Sequence, residues 1–184
     1  MQKGQDNKSP GKSLLFLGRG RGKIGLFLTS AALVVLLDQL SKSWIRENPA
    51  SMELLPGFIN FLYSQNPGAV FGLPVNPTFL IITTIAILTI IIFLLLRYLS
   101  LCTTLTVISA GLIFGGAIGN LIDRLRFSGF VTDFIDIHLK NLFHWYTFNL
   151  ADAAITVGVF ILIYSLHRTG LFRKVYGHTG KIKN

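Results

Sequence analysis

The sequence predicts an α-helical integral membrane protein with four spanning helices and short extended segments in the loops outside the bilayer. Three observations point there. The 184 residues are 51% hydrophobic and 14% charged, which leaves too few polar side chains to cover a soluble domain. Mean hydropathy is +0.59. Four apolar runs each approach the ~20 residues that a helix needs to cross a bilayer.

Residues 1–22 read as a flexible basic tail, with Lys3, Lys8, Lys12, Arg19 and Arg21, and Lys23 just beyond, against Asp6. Residues 23–167 read as one membrane domain and 168–184 as a second basic tail, with Arg168, Arg173, Lys174, Lys181 and Lys183 and no acid. Between Lys23 and Arg168 six bases meet seven acids. Basic tails beside apolar helices read as cytoplasmic anchors on anionic lipid rather than as a nucleic-acid surface, so no nucleic-acid partner is expected.

The first run, about 24–45, is too long for a cleaved signal peptide, lacks a small-residue cleavage site and reads as a retained helix. The others are about 78–96, 99–122 and 148–166. Four spans place both termini on the cytoplasmic side and the loops 46–77 and 123–147 outside. Trp44, Trp145 and Tyr146 then fall at the outer interface, where amphipathic aromatics settle. In the outer loops, "GFINFLYSQN" (57–66) follows a Pro-Gly turn signal and is rich in β-formers. "GFVTDFIDIH" (129–138) puts Val131, Asp133, Ile135 and Ile137 on one face if extended.

Polar residues collect at one depth. Asp38 lies roughly 20 Å along the first helix at 1.5 Å per residue. Asp123 ends the third helix, Asp133 and Asp136 sit in the second outer loop, and Asp152 begins the fourth helix. Five acids thus gather in the outer third of the membrane, where buried charge is costly and usually functional. Gly111, Gly115 and Gly119 make a smooth stripe for close helix approach, with Gly116, Asn120 and Asp123 along its neighbour. Asp38 and Lys42 are an i,i+4 pair. The lysine is expected either to snorkel outward from a structural ion pair or to touch substrate.

Two close carboxylates can share one proton, so that one activates water while the other polarises a carbonyl. Spacing alone does not choose among Asp38, Asp123, Asp133, Asp136 and Asp152. Other peptidase chemistries lack their signatures: there is no HExxH, no GxGD and no GxSG, and His138 and His144 make no convincing metal pair. The lone Cys102 permits no internal disulfide and reads as a small buried hydrophobe. A proton-coupled transporter would also use intramembrane Asp, Asn and Lys, but its site would lie near the midplane of repeated halves, and no repeat is present. A non-catalytic scaffold would account for the glycine stripe but not for the acids.

"DQLSK" (38–42), "NPGAVFG" (66–72), "GGAIGNLIDR" (115–124), "VTDF" (131–134) and "FNLADAAI" (148–155) stand in the order of the blocks of the lipoprotein signal peptidase (signal peptidase II) family. The chain resembles that family over about residues 33–164, with Pro67 and Val70 as mild departures from its usual residues. The resemblance implies a four-helix membrane fold with a small outer β-cradle. It implies a metal-independent aspartic endopeptidase with no cofactor, acting as a monomer in the bacterial cytoplasmic (inner) membrane with its site near the extracytoplasmic face. The substrate implied is a diacylglyceryl-modified prolipoprotein, cut before its lipidated cysteine. Carried over residue by residue, the catalytic pair is Asp133 and Asp152. The supporting residues are Asp38, Lys42, Asn66, Gly68, Asn120, Asp123, Arg124, Asn149 and Ala151.

Overall fold

The computed structural model describes residues 10–68, 75–139 and 143–169, with side chains over 20–68, 75–138 and 146–169. Val70, the far C-terminal bases and the side chains of His144 and Trp145 lie outside the described residues.

The chain runs α1 (Pro10–Glu47), β1 (Met52–Leu55), β2 (Ile59–Asn66), α2 (Pro77–Tyr98), α3 (Thr104–Arg126), β3 (Val131–Leu139), β4 (Phe143–Phe148), α4 (Leu150–Arg168). All four helices are long and apolar enough to cross a membrane, α1 over Gly20–Glu47.

The boundaries differ from expectation for local reasons. The first helix begins at Pro10, inside the segment expected to be a flexible tail. The third begins at Thr104 rather than near Leu99, because the Thr103 hydroxyl accepts from the Thr106 N–H and caps it there. The fourth begins after Asn149, and Phe148 ends β4 instead. For α2, Asn76 accepts from the N–H groups of Thr78 and Phe79, and Pro77 supplies a preset φ at the first turn.

The core is the α3 surface. It packs against α4, α1 and, more lightly, α2. The glycines read as a packing stripe divide between two partners. A Cβ at Gly115 would meet the Ala31 carbonyl oxygen at 2.6 Å, and one at Gly116 would meet the Ala151 carbonyl oxygen at 2.5 Å. Gly111, Gly115 and Gly119 therefore admit α1, while Gly116 admits α4. Phe27, Leu95 and Val107 form a buried apolar cluster with Phe114 against it. Only Leu88 and Leu95 of α2 are buried, with Ile91 against the cluster, and most of its other apolar side chains are exposed, as lipid-facing groups are.

The four strands form one antiparallel sheet in the order β1-β2-β3-β4. It lies at the end of the bundle where α1 and α3 finish and α4 begins. The loop after α3 turns through Ser128 (φ 53°) and Gly129 (φ 96°), a left-handed pair that stops the helix. A Cβ at Gly129 would run into the Pro77 ring, so the turn sits against the start of α2. β3 then pairs with β2, from the other outer loop: Asn66 stands opposite Val131, and Ser64 opposite Asp133.

Candidate active site

The site is assembled from four directions: α1 supplies Asp38 and Lys42, the end of α3 supplies Asn120, Asp123 and Arg124, β2–β3 supply Asn66 and Asp133, and the start of α4 supplies Asn149, Ala151 and Asp152. Asp38, Lys42, Asp123 and Asn149 are fully buried, and Asp133 is 1% exposed. Such a cluster survives only if each polar group is paired.

Lysine can only donate, and this sets the polarity of the whole network. Lys42 Nζ lies 2.9 Å from Asp38 Oδ2 and 3.6 Å from Asp123 Oδ2, and donates at 2.9 Å to Asn120 Oδ1. With its oxygen turned to the lysine, Asn120 directs its amide N–H at Asp152 Oδ1, 2.8 Å away. Asn149 is oriented independently. It is the N-cap of α4, its oxygen accepting from the Asp152 N–H at 2.9 Å in a reciprocal capping box. Its amide nitrogen therefore donates to Asp133 Oδ1 at 2.7 Å and to Asn120 Oδ1 at 3.1 Å. Asn66 accepts from the Gly68 N–H at 2.9 Å and donates to Asp133 Oδ2 at 2.9 Å. Every asparagine is thus held by a backbone N–H or a lysine on its oxygen side and aims a donor at Asp133 or Asp152.

Asp38 reaches the backbone of α4 beside Asp152. Its Oδ1 accepts from the Ala151 N–H at 3.0 Å, in the first turn of α4. A carboxylate there is favoured by the exposed N–H groups and the helix dipole. Lys42 is buried rather than snorkelling outward, with its donors spent on Asp38, Asn120 and Asp123. Arg124 donates from Nη2 to the Gly68 carbonyl at 3.3 Å, and its buried Nε has no partner among the described residues.

Asp133 and Asp152 are electrostatically coupled. Burial, and next the negative charge of Asp152, push the Asp133 carboxyl up to about 7, against the stabilising donors Asn66 and Asn149 and the charge of Lys42. A carboxylic acid that holds its proton near neutral pH beside a second carboxylate can act as an acid while its neighbour acts as a base.

The family model described as signal peptidase (SPase) II matches residues 30–168, a span containing every residue of this network. The chain belongs to the signal peptidase II family. It is similar to the lipoprotein signal peptidase of Moorella thermoacetica, 46% identical over 143 residues that cover 76% of this chain and 91% of that one. That of Coxiella burnetii is 43% identical over 145 residues, covering 74% of this chain and 86% of the relative. A solved bacterial membrane enzyme superposes with a TM-score of 0.70 at 31% identity, covering 88% of this chain and 94% of its own.

Signal peptidase II is an aspartic peptidase family, so a carboxylate site is expected of this member. Of the five acids, Asp38, Asp123, Asp133 and Asp152 are joined by the contacts above. Asp136 lies three residues beyond Asp133 on β3, and its Oδ2 is 3.3 Å from His138 Nδ1. Three residues not expected from the sequence also join the network: Gln39, Arg46 and Thr132. Gln39 Nε2 reaches Asp38 Oδ2 and the Gly119 carbonyl, both at 3.1 Å, and Asp123 Oδ1 at 3.3 Å. Arg46 lies 3.6 Å from Asp123 Oδ2, and the Thr132 N–H donates to that same oxygen at 2.9 Å. The signal for Arg46 was present, since Asp38, Lys42 and Arg46 follow one another at intervals of four on a single helix face. Among the described residues, no group of three or more His, Cys, Asp or Glu is placed to hold a metal.

Proposed function

We propose that this member of the signal peptidase II family removes signal peptides from diacylglyceryl-modified prolipoproteins, cutting before the lipidated cysteine with Asp133 and Asp152 as the catalytic dyad. The observation that carries the reading is Asn149. Its side chain donates to Asp133 Oδ1 at 2.7 Å, and its backbone N–H lies 3.3 Å from Asp152 Oδ2. One residue thus holds both carboxylates.

The precursor enters sideways from the outer leaflet, its acyl chains remaining in lipid and its signal helix against α1, α3 and α4. One carboxylate of the dyad takes a proton from water as the water oxygen attacks the scissile carbonyl carbon. The protonated partner donates a hydrogen bond to the developing oxyanion. As the tetrahedral intermediate collapses, the C–N bond breaks and a proton passes from the dyad to the leaving amine. Asn66, Asn120 and Asn149 hold the carboxylates in place. Arg124, whose buried Nε has no partner among the described residues, binds a substrate carbonyl or a lipid phosphate through its guanidinium. The enzyme works as a monomer with both termini in the cytoplasm and the dyad near the extracytoplasmic face, in keeping with the basic tails.

Purified protein assayed on a diacylglyceryl-modified precursor tests this. Asp133→Asn and Asp152→Asn are each expected to lower kcat by about 10²–10⁴-fold, the usual worth of a positioned acid or base. Substantial turnover in either removes that residue from the dyad. In the wild type, activity is expected to fall as pH rises through about 7, where the pair loses its shared proton.

A further inference from the structure

Arg46 has no role in the chemistry above, yet it makes a short contact beside the dyad. Its Nη1 donates to Thr132 Oγ1 at 2.8 Å, closer than its 3.6 Å approach to Asp123 Oδ2. The guanidinium lies over the Phe127 ring, 4.7 Å from its centroid. Thr132 is 3% exposed and directly precedes Asp133. It is held at two points, the side chain by Arg46 and the backbone N–H by Asp123.

In an extended strand, neighbouring side chains leave on opposite faces. Pinning Thr132 toward α1 and the end of α3 therefore turns Asp133 the other way, toward Asn66 and Asn149. β3 needs such a constraint. It is reached through the Ser128–Gly129 turn, and its bulged pairing with β2 shifts register between Phe61 and Ser64, next to the partner of Asp133. A one-residue slip in a strand reverses every side chain. We propose that Arg46 is a positioning residue that sets the orientation of Asp133 by clamping Thr132 at the start of β3.

The proposal rests on Asp133 being catalytic, and the experiment separates the two. The full chain is assayed on a diacylglyceryl-modified precursor with Arg46→Met, Thr132→Val, the double variant, Arg46→Lys and Asp133→Asn. Arg46→Met is expected to lower kcat about 10- to 100-fold, the scale of a reacting group displaced by a fraction of an ångström to an ångström. KM should stay within about twofold, since binding groups are untouched. Thr132→Val should lower kcat by a similar or somewhat smaller factor, since Arg46 also approaches Asp123 and Phe127, and the double variant should lose no more than Arg46→Met, because the Arg46–Thr132 contact is already gone in it. Arg46→Lys should recover part of the loss. Hydrogen exchange of the 131–133 amides should speed up in Arg46→Met. If Arg46→Met does not fold, Arg46→Lys takes its place in the cycle with Thr132→Val.

Wild-type kcat in Arg46→Met, or losses that multiply in the double variant, would overturn the clamp while an inactive Asp133→Asn leaves the dyad standing. An active Asp133→Asn overturns both.

Discussion

At the end of the bundle where α1 and α3 finish and α4 begins, the buried residues include Asp38, Lys42, Asn120, Asp123, Asp133 and Asn149, joined by charge-assisted hydrogen bonds. At the opposite end, where α2 finishes and α3 begins, Phe27, Leu95 and Val107 are buried instead. The polar contacts there include a cluster of three hydroxyls, with Ser165 Oγ 2.8 Å from Thr103 Oγ1 and 2.9 Å from Thr106 Oγ1, and the Lys23 ammonium donating to the Leu99 carbonyl at 3.0 Å, with no carboxylate among them. The same helices therefore meet in two ways. Apolar and hydroxyl contacts are tolerant of small rotations. The ionic end is not, because each asparagine has one orientation that satisfies its neighbours. Rigidity is concentrated around Asp133 and Asp152, the proposed dyad, in line with the use of connected polar networks to specify one arrangement.

The largest effect that could break this contrast is Lys42→Met. It leaves Asp38 and Asp123 short of a buried cation, and the expected loss is about 3–5 kcal/mol, the scale for breaking a buried ion pair. Denaturant titration in detergent measures it, and a loss under about 1 kcal/mol would mean that the network is not holding the ionic end. Next comes a matched pair of glycines. Gly116→Ala drives a Cβ to 2.5 Å from the Ala151 carbonyl oxygen, beside the dyad, whereas Gly158→Ala meets Ile113 Cγ1 at 2.8 Å, farther along α4. Each should cost about 1–3 kcal/mol of stability by overpacking. Only Gly116→Ala should also lower kcat in the folded fraction, and equal kcat in the two would erase the functional difference between the ends. The smallest effect is Ser165→Ala. An interhelical hydroxyl bond in a membrane protein averages about 0.6 kcal/mol, so thermal stability should fall slightly with cleavage unchanged. Lost cleavage there would show that the far end also tunes the site.

Much of the site was legible in order but not in pairing. That Asp38, Asp123, Asp133 and Asp152 gather at one end of the bundle followed from helix rise and chain order, and the expectation of a carboxylate pair came from the resemblance of "VTDF" and "FNLADAAI" to the family blocks. The expected ion pair of Lys42 with Asp38 forms, but the lysine is a buried bridge rather than snorkelling outward, because its i,i+4 relation to Asp38 says nothing about the oxygens that α3 brings to it. Thr132 gave no signal, since its importance lies in a strand start placed against Arg46. The early start of α1 was missed because polar and glycine residues over 10–22 mask a helix from a reading based on apolar runs.

The sequence by itself determined the number of spans, the residues able to face a close neighbour and the level at which the acids collect. These follow from hydrophobic length and from periods of 3.6 and 2, which are local properties of a chain. Only the tertiary structure decided that Asp38 would cap α4 from 113 residues away, that β2 would bring Asn66 to Asp133, and which way each asparagine would turn. Those contacts depend on how far apart packed helices and paired strands come to rest. That distance is set by the summed fit of side chains from both partners, which the sequence pattern of either one does not specify.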